Sequence, residues 1–325
     1  MSEWPIEFAE VLAARERLAP HLPPTPLRSY AALDEAVGHG VRVFVKHENL
    51  QPTGSFKVRN GLAALTALGP EERRRGVVAA TRGNHGLGLA WSGRRLGIPV
   101  TVCVPLGNNP EKNAAVRGLG ARLVEEGRDY DESAQVAERL ARDERLLLVH
   151  STNDARVVSG AGTLTLEMLE QEGRIEALVF AVGGGSQAVG GLTVVRAVKP
   201  GLPVYAVQAE GASAIHDAWH LGRPVSKQTA DTFADGLATR NTYPFTFEAL
   251  REGLAGFVTA SDARIAEALR LALSATHTLV EGAGAAGLAG LFLLREALAG
   301  KAVGVVLSGA NIDAGTLARV LTREL

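Results

Sequence analysis

The sequence predicts an α/β protein of two lobes, each a mainly parallel sheet covered by helices. Three observations carry that prediction. Short β-branched runs alternate with longer segments of helical period along most of the chain. The loops rich in Gly, Asn and Ser follow those runs, at the strand ends where doubly wound sheets bind ligands. The 325 residues, 46% of them hydrophobic, suffice for one large domain or two ordinary ones with a sizeable core.

In chain order, a strand is expected over 41–47 (VRVFVKH) and a helix over 56–68. Strands 76–81, 100–105 and 121–126 then alternate with helices 85–96, 111–120 and 131–142. A strand over 176–182, a helix over 186–198 and a strand over 203–210 follow. Helices 261–276 and 284–298 and a strand over 302–309 complete the pattern. Asp131 and Ser261 stand ahead of apolar-periodic runs in the manner of helix N-caps. The segments 69–76 (GPEERRRG) and 142–157 bracket four units. The expected division is therefore a small mobile domain over 75–150 and a large domain over 1–74 and 151–325.

Composition removes several classes of function. Lys plus Arg (34) nearly balances Asp plus Glu (35), so no basic face points to nucleic acid or an acidic membrane. The single cysteine, Cys103, lies in the apolar run VTVCVP and reads as a buried strand thiol. No disulfide framework is possible, no basic-then-apolar leader opens the chain, and no apolar run reaches bilayer length. A cytoplasmic protein is expected.

Four loops carry chemistry. In 179–191 (VFAVGGGSQAVGG) a buried strand runs into three glycines and a serine, and a helix begins at once. Such glycines let backbone N–H groups converge on a phosphate, and the helix N-terminus adds positive potential. Gly183, Gly185 and Ala188 also satisfy a dinucleotide fingerprint, with Glu210 ending the next strand, so an NAD-dependent oxidoreductase competes at this point. Lys57 opens a helix behind the polar loop 48–56, where positive potential favours a neutral, nucleophilic amine. Ser308 ends a buried strand, and TRGNHG (81–86) ends another.

Together, PTGSFKVRNG, RGNHG, GGGSQ and LSGAN resemble, in that order, the fold-type II pyridoxal-phosphate enzymes, in their threonine/serine dehydratase and serine racemase branch. The resemblance runs from PPTPL (23–27) to the last helix. It implies a tryptophan synthase β-like fold with pyridoxal 5'-phosphate in the large domain, and a homo-oligomer, dimer or tetramer. It demotes the oxidoreductase, which leaves Lys57, Asn84 and Ser308 without a task. By motif, Lys57 would carry the cofactor and later act as base at Cα, with Phe56 packed beside the ring. Asn84 would bond the ring's 3-oxygen, and Ser308 would face the pyridine nitrogen. Gly183, Gly184, Gly185 and Ser186 would cradle the phosphate, with Gln187 at the loop's end. Ser55, Thr81, Asn84 and His85 would form the pocket for the substrate carboxylate. FADGLATR and LVEGAGAAG add Gly236 and Glu281 as further cofactor-lining residues.

The implied reaction is β-elimination of water from a 3-hydroxy amino acid, giving a 2-oxo acid and ammonia. Threonine, serine, 3-hydroxyaspartate and phenylserine share that chemistry; β-replacement and racemisation are the alternatives on this scaffold. Two departures matter. Where racemase-type members place an acid/base serine, this chain has Arg82, whose guanidinium cannot exchange a proton. Arg82 is expected either to pair with a protein acid between the lobes or to contact a second substrate carboxylate. Where those members hold a divalent cation, Gln208 and Ala214 replace the expected acids, and Glu210 and Asp217 are out of register, so no metal is expected. His216 and His220 in HDAWH read as solvated helix residues. The short stretch after LSGAN implies no appended regulatory domain and no feedback inhibition by isoleucine.

Overall fold

The structure, a computed structural model, describes residues 4–325; the first three residues of the expected large domain lie outside the described residues. The strands, in chain order, are β1 (Leu27–Ser29), β2 (Arg42–Lys46), β3 (Val77–Ala80), β4 (Val100–Val104), β5 (Arg122–Glu125), β6 (Leu147–Leu148), β7 (Ala177–Ala181), β8 (Val204–Ala209), β9 (Gly256–Ala260) and β10 (Ala302–Val306). They form a six-stranded sheet ordered β1-β2-β10-β7-β8-β9 and a four-stranded sheet ordered β5-β4-β3-β6. Among the strand pairs of the described residues, β1–β2 is antiparallel and the others are parallel. The four-stranded sheet is drawn entirely from the chain between Val77 and Leu148.

β3, β4 and most of β7 and β10 are buried on both faces, which explains why they read as unbroken apolar runs rather than alternating ones. The Gly282–Leu294 helix (GAGAAGLAGLFLL) is buried through its first ten residues against β7, β8, β9 and β10. Cys103 is buried in β4, and that burial raises its thiol to about 11, which suits a packing residue.

Several elements escaped the periodicity. The Ala155–Gln171 helix falls where the sequence suggests a boundary, and its Ser, Gly and Thr residues blur the apolar stripe. Asp154 caps it, accepting from Arg156 N–H at 3.0 Å. Helices Phe8–Leu18, Ala31–Val37, Pro244–Gly253 and Ala314–Leu321, and strands β1, β6 and β9, were likewise not anticipated. Ser261 caps its helix as expected, accepting from Arg264 N–H at 3.3 Å. Asp131 does not cap: the helix starts at Tyr130 and Asp129 is its cap, accepting from Glu132 N–H at 3.0 Å. Asp131 lies in the first turn, where its charge still suits the dipole.

The Lys57–Thr66 helix is the pivot between the two sheets. Across its first turn lies Gly88 of the Asn84–Leu96 helix, where a side chain would come 2.4 Å from the Lys57 carbonyl oxygen. The helix is pinned by a buried ion cluster: Arg59 donates to Glu48 at 2.8 Å and to Glu167 at 2.7 Å, and Lys46 donates to Glu167 at 2.8 Å. Arg59 and Glu48 are almost wholly enclosed, so each charge depends on the other for compensation.

Candidate active site

One cavity opens between the sheets at the carboxyl ends of β3, β7 and β10. Phe56, Lys57, Thr81, Arg82, Asn84, His85, Gly183, Gly184, Gly185, Ser186, Gln187, Gly236, Glu281 and Ser308 all line it. Ser55 lies just behind the wall, bridged to Gly309, with its Oγ buried and unpartnered.

Lys57 is the first residue of its helix, and its Nζ lies 3.4 Å from Ser186 Oγ and 4.7 Å from the Phe56 ring centre. Burial lowers its pKa from 10.5 to about 8, because no carboxylate stands near enough to compensate the lost solvation. Phe56 is held in turn: its N–H donates to the Ser308 carbonyl at 3.0 Å.

The Gly183–Gly185 loop is boxed by the Gly236 backbone and by the side chains of Thr152, Thr246 and Leu250. A side chain on Gly183 would come 2.2 Å from the Gly236 carbonyl oxygen, and one on Gly184 would come 2.0 Å from Thr152 Oγ1. Thr246 Oγ1 donates to the Gly184 carbonyl at 2.9 Å, fixing the peptide planes. The Ser186–Val198 helix starts immediately, so its first-turn N–H groups have no intrahelical acceptors and face an oxyanion site.

Asn84 is locked by two partners. Its Nδ2 donates to Glu281 Oε1 at 2.5 Å, and its Oδ1 accepts from Asn311 Nδ2 at 2.7 Å. Burial raises the Glu281 carboxyl above its usual range, with Lys112 and Asn84 acting in the opposite sense. His85 Nε2 lies 3.1 Å from the Val149 carbonyl, which can only accept, so the ring proton is on Nε2. Burial, with Lys57 and His150 nearby, lowers the His85 pKa to about 3. His85 is therefore neutral, and its buried Nδ1 presents an unpartnered lone pair. Ser308 Oγ has only the Ala283 carbonyl, at 3.5 Å.

Arg82 makes no hydrogen bond or ion pair within the described residues, and its Nε is buried without an acceptor. The expectation of a protein acid between the lobes is thus overturned. The acids nearest the mouth are already taken: Asp235 by Lys112 at 2.6 Å, and Asp129 and Asp131 by Arg240.

The buried polar atoms left without partners fit a cofactor. Ser55 Oγ, Arg82 Nε, His85 Nδ1 and Gln187 Nε2 cluster at or beside this cavity, next to a cradle that side chains would fill. The comparisons decide which cofactor. Residues 18–309 match the family model described as pyridoxal-phosphate dependent enzyme. The chain belongs to that family. An L-threonine ammonia-lyase of Thermotoga maritima is 33% identical over 320 residues, covering 98% of this chain and 79% of that protein. An L-threo-3-hydroxyaspartate ammonia-lyase of a Pseudomonas species is 34% identical over 314 residues, covering 97% and 98%. The structure of maize serine racemase superposes with a TM-score of 0.92 at 26% identity, covering 99% and 98%.

The protein is thus a fold-type II pyridoxal-phosphate enzyme, as its four ordered motifs imply. The nicotinamide reading of Gly183, Gly185, Ala188 and Glu210 is displaced; Glu210 is exposed and opens a short 3-10 turn after β8. On the neighbouring helix, Asp217 is paired with Lys227 at 2.6 Å and with His216 Nδ1 at 3.0 Å. Gln208 accepts from His216 N–H at 3.0 Å. Among the described residues, no group of three or more His, Cys, Asp or Glu could hold a metal ion, and no helix is long and apolar enough to cross a membrane.

Residues that the sequence reading did not single out complete the site: Lys112, Tyr130, Thr152, Asp235, Thr239, Tyr243 and Asn311. Asn311 lay within LSGAN and was legible as a polar residue three past Ser308. Lys112, Tyr130 and Tyr243 come from ordinary-looking helices and a loop, and only folding brings them to the cavity.

Proposed function

We propose that the enzyme removes water from a 3-hydroxy amino acid of the threonine or serine type, releasing a 2-oxo acid and ammonia. The observation that carries the reading is the Lys57 amine, buried, lowered to about 8, and beside Ser186 at the glycine cradle. Such an amine is neutral often enough to attack a carbonyl carbon. With the substrate's amine in its place, the Lys57 amine would be the group positioned to accept the Cα proton. When bound, pyridoxal phosphate supplies the electron sink that lets the Cα–H bond break.

The remaining groups bind and orient. Gly183–Ser186 and the helix start behind them receive the phosphate, with Gln187 closing the loop and Gly236 facing it. One Asn84 N–H is committed to Glu281, which leaves the other for the ring's 3-oxygen. Ser55 Oγ, the Thr81 hydroxyl and the first N–H groups of the Asn84–Leu96 helix receive the substrate carboxylate. His85 serves there through its backbone, because its neutral ring offers no donor toward the cavity. Ser308 would offer its hydroxyl to the pyridine nitrogen, a partner too weakly acidic to force protonation. Negative charge at Cα is then relieved by expelling the β-hydroxyl. The Cα–H electron pair becomes the Cα–Cβ double bond, the Cβ–O bond breaks, and hydroxide leaves with a proton as water. Hydrolysis of the released enamine gives the 2-oxo acid and ammonia, with no net oxidation. The 75–150 unit carries Thr81 to His85 and Lys112 to the cavity.

The ammonia-lyases named above for threonine and 3-hydroxyaspartate support this reading, since both activities make and break the same bonds. The test is 2-oxo acid release from L-serine, L-threonine and L-threo-3-hydroxyaspartate by the purified holoenzyme. Lys57→Ala is expected to remove the activity. A holoenzyme that releases no 2-oxo acid from any of the three overturns the elimination reading.

A further inference from the structure

We propose that Arg82 grips a second carboxylate, on the substrate's β-carbon, and that the preferred substrate is a 3-hydroxy dicarboxylic amino acid of the 3-hydroxyaspartate type. The inference rests on the elimination reading and names its substrate class.

The argument begins with anion sites. A monocarboxylic hydroxy amino acid bound to the cofactor brings two anionic groups, a phosphate and an α-carboxylate. The cavity already has a helix start for each, at Ser186 and at Asn84. Arg82 is a third cationic position on the same cavity wall, next to Thr81 and beside Tyr130. Among the described residues no carboxylate forms an ion pair with it. Asp235 is held by Lys112, Asp129 and Asp131 by Arg240, and Glu281 receives the Asn84 amide.

A half-buried guanidinium with a buried, unpartnered Nε is costly to keep unless a ligand completes it. Its planar fork matches a carboxylate with two parallel hydrogen bonds, which a methyl or hydroxymethyl group cannot accept. With serine or threonine the fork stays empty. With a β-carboxylate every cationic position in the cavity is matched.

The experiment has a kinetic and a binding arm, both on the holoenzyme. The wild-type enzyme is expected to prefer L-threo-3-hydroxyaspartate to L-serine in kcat/KM. Arg82→Gln is expected to lower the hydroxyaspartate-to-serine ratio of kcat/KM by about 10- to 100-fold, the loss typical of a charge-assisted pair. Arg82→Lys, keeping charge without the fork, should fall between. In the binding arm, L-aspartate, which has no hydroxyl to eliminate, is titrated against the visible absorption of the bound cofactor, with L-alanine as control. Arg82→Gln should weaken L-aspartate at least tenfold more than L-alanine. Equal losses for both substrates, or for both ligands, would assign Arg82 to the α-carboxylate and overturn the proposal. If no hydroxy amino acid is turned over while L-aspartate binding still depends on Arg82, the elimination reading fails and takes the hydroxy substrate with it, while the contact between Arg82 and a β-carboxylate stands.

Discussion

Asn311 holds Asn84 in a single orientation, donating to its Oδ1 at 2.7 Å while its second N–H goes to the Thr53 carbonyl at 2.8 Å. Both hydrogens of the Asn311 amide are spent, so neither amide can flip without breaking a bond. The Asn84 nitrogen is thereby aimed at Glu281, with one hydrogen to spare. Asn311→Asp would set a carboxylate oxygen against Asn84 Oδ1. The expected outcome is a changed visible spectrum of the holoenzyme and a stability loss of about 1–3 kcal/mol, the cost of unsatisfied buried polar atoms. Thermal unfolding and the spectrum together check it.

Gly184→Ala tests the phosphate cradle. The new methyl would lie 2.0 Å from Thr152 Oγ1 and 3.0 Å from Thr152 Cβ. The loop must shift, and cofactor affinity is expected to fall by at least tenfold, read by equilibrium titration of the apoenzyme. Thr152→Ala in the same chain removes the hydroxyl clash and should restore part of the loss. No recovery in the double variant would argue against a steric cause.

The Lys57 amine predicts how cofactor loading depends on pH. Only the neutral amine attacks a carbonyl, and the buried group titrates near 8 rather than 10.5. The loading rate of apoenzyme should therefore climb with pH and level off above about 8. A lysine at its ordinary value would keep climbing past 10. Because the depressed value disfavours the protonated form in the folded state, apoenzyme stability should also rise with pH between these limits. Stopped-flow loading across that range checks the first claim, and denaturant titration checks the second.

Lys112 and Asp235 join the 75–150 segment to the Asp235–Leu237 turn at the cavity, at 2.6 Å. Lys112 is the shielded partner and Asp235 is half exposed, so the pair is worth only about 0.5–1 kcal/mol. Asp235→Asn should raise KM two- to fivefold with little change in kcat, and the difference should shrink as salt is added, since such pairs are screened. A large fall in kcat would instead give Asp235 a part in the chemistry.

The sequence by itself determined the class of the fold, and it singled out the lysine and the glycine loop that line the cavity. Each of these is local: alternating apolar runs, a glycine-dense strand end and a lysine at a helix start keep their meaning wherever the chain goes. It did not show the Ala155–Gln171 helix, whose glycines and hydroxyls weaken the apolar period that marks a helix. It misplaced a cap by two residues, at Asp131 rather than Asp129, because both acids fit the pattern and only backbone geometry separates them. For Arg82 it left two readings open, a protein acid or a second substrate carboxylate. Tertiary structure removed the first of them, because the acids around the cavity mouth come from distant segments and bond Lys112, Arg240 and Asn84 instead. The same holds for the Asn84 clamp, assembled from residues 53, 84, 281 and 311. Pattern names the residues that carry chemistry; only packing shows which of them are left without a partner.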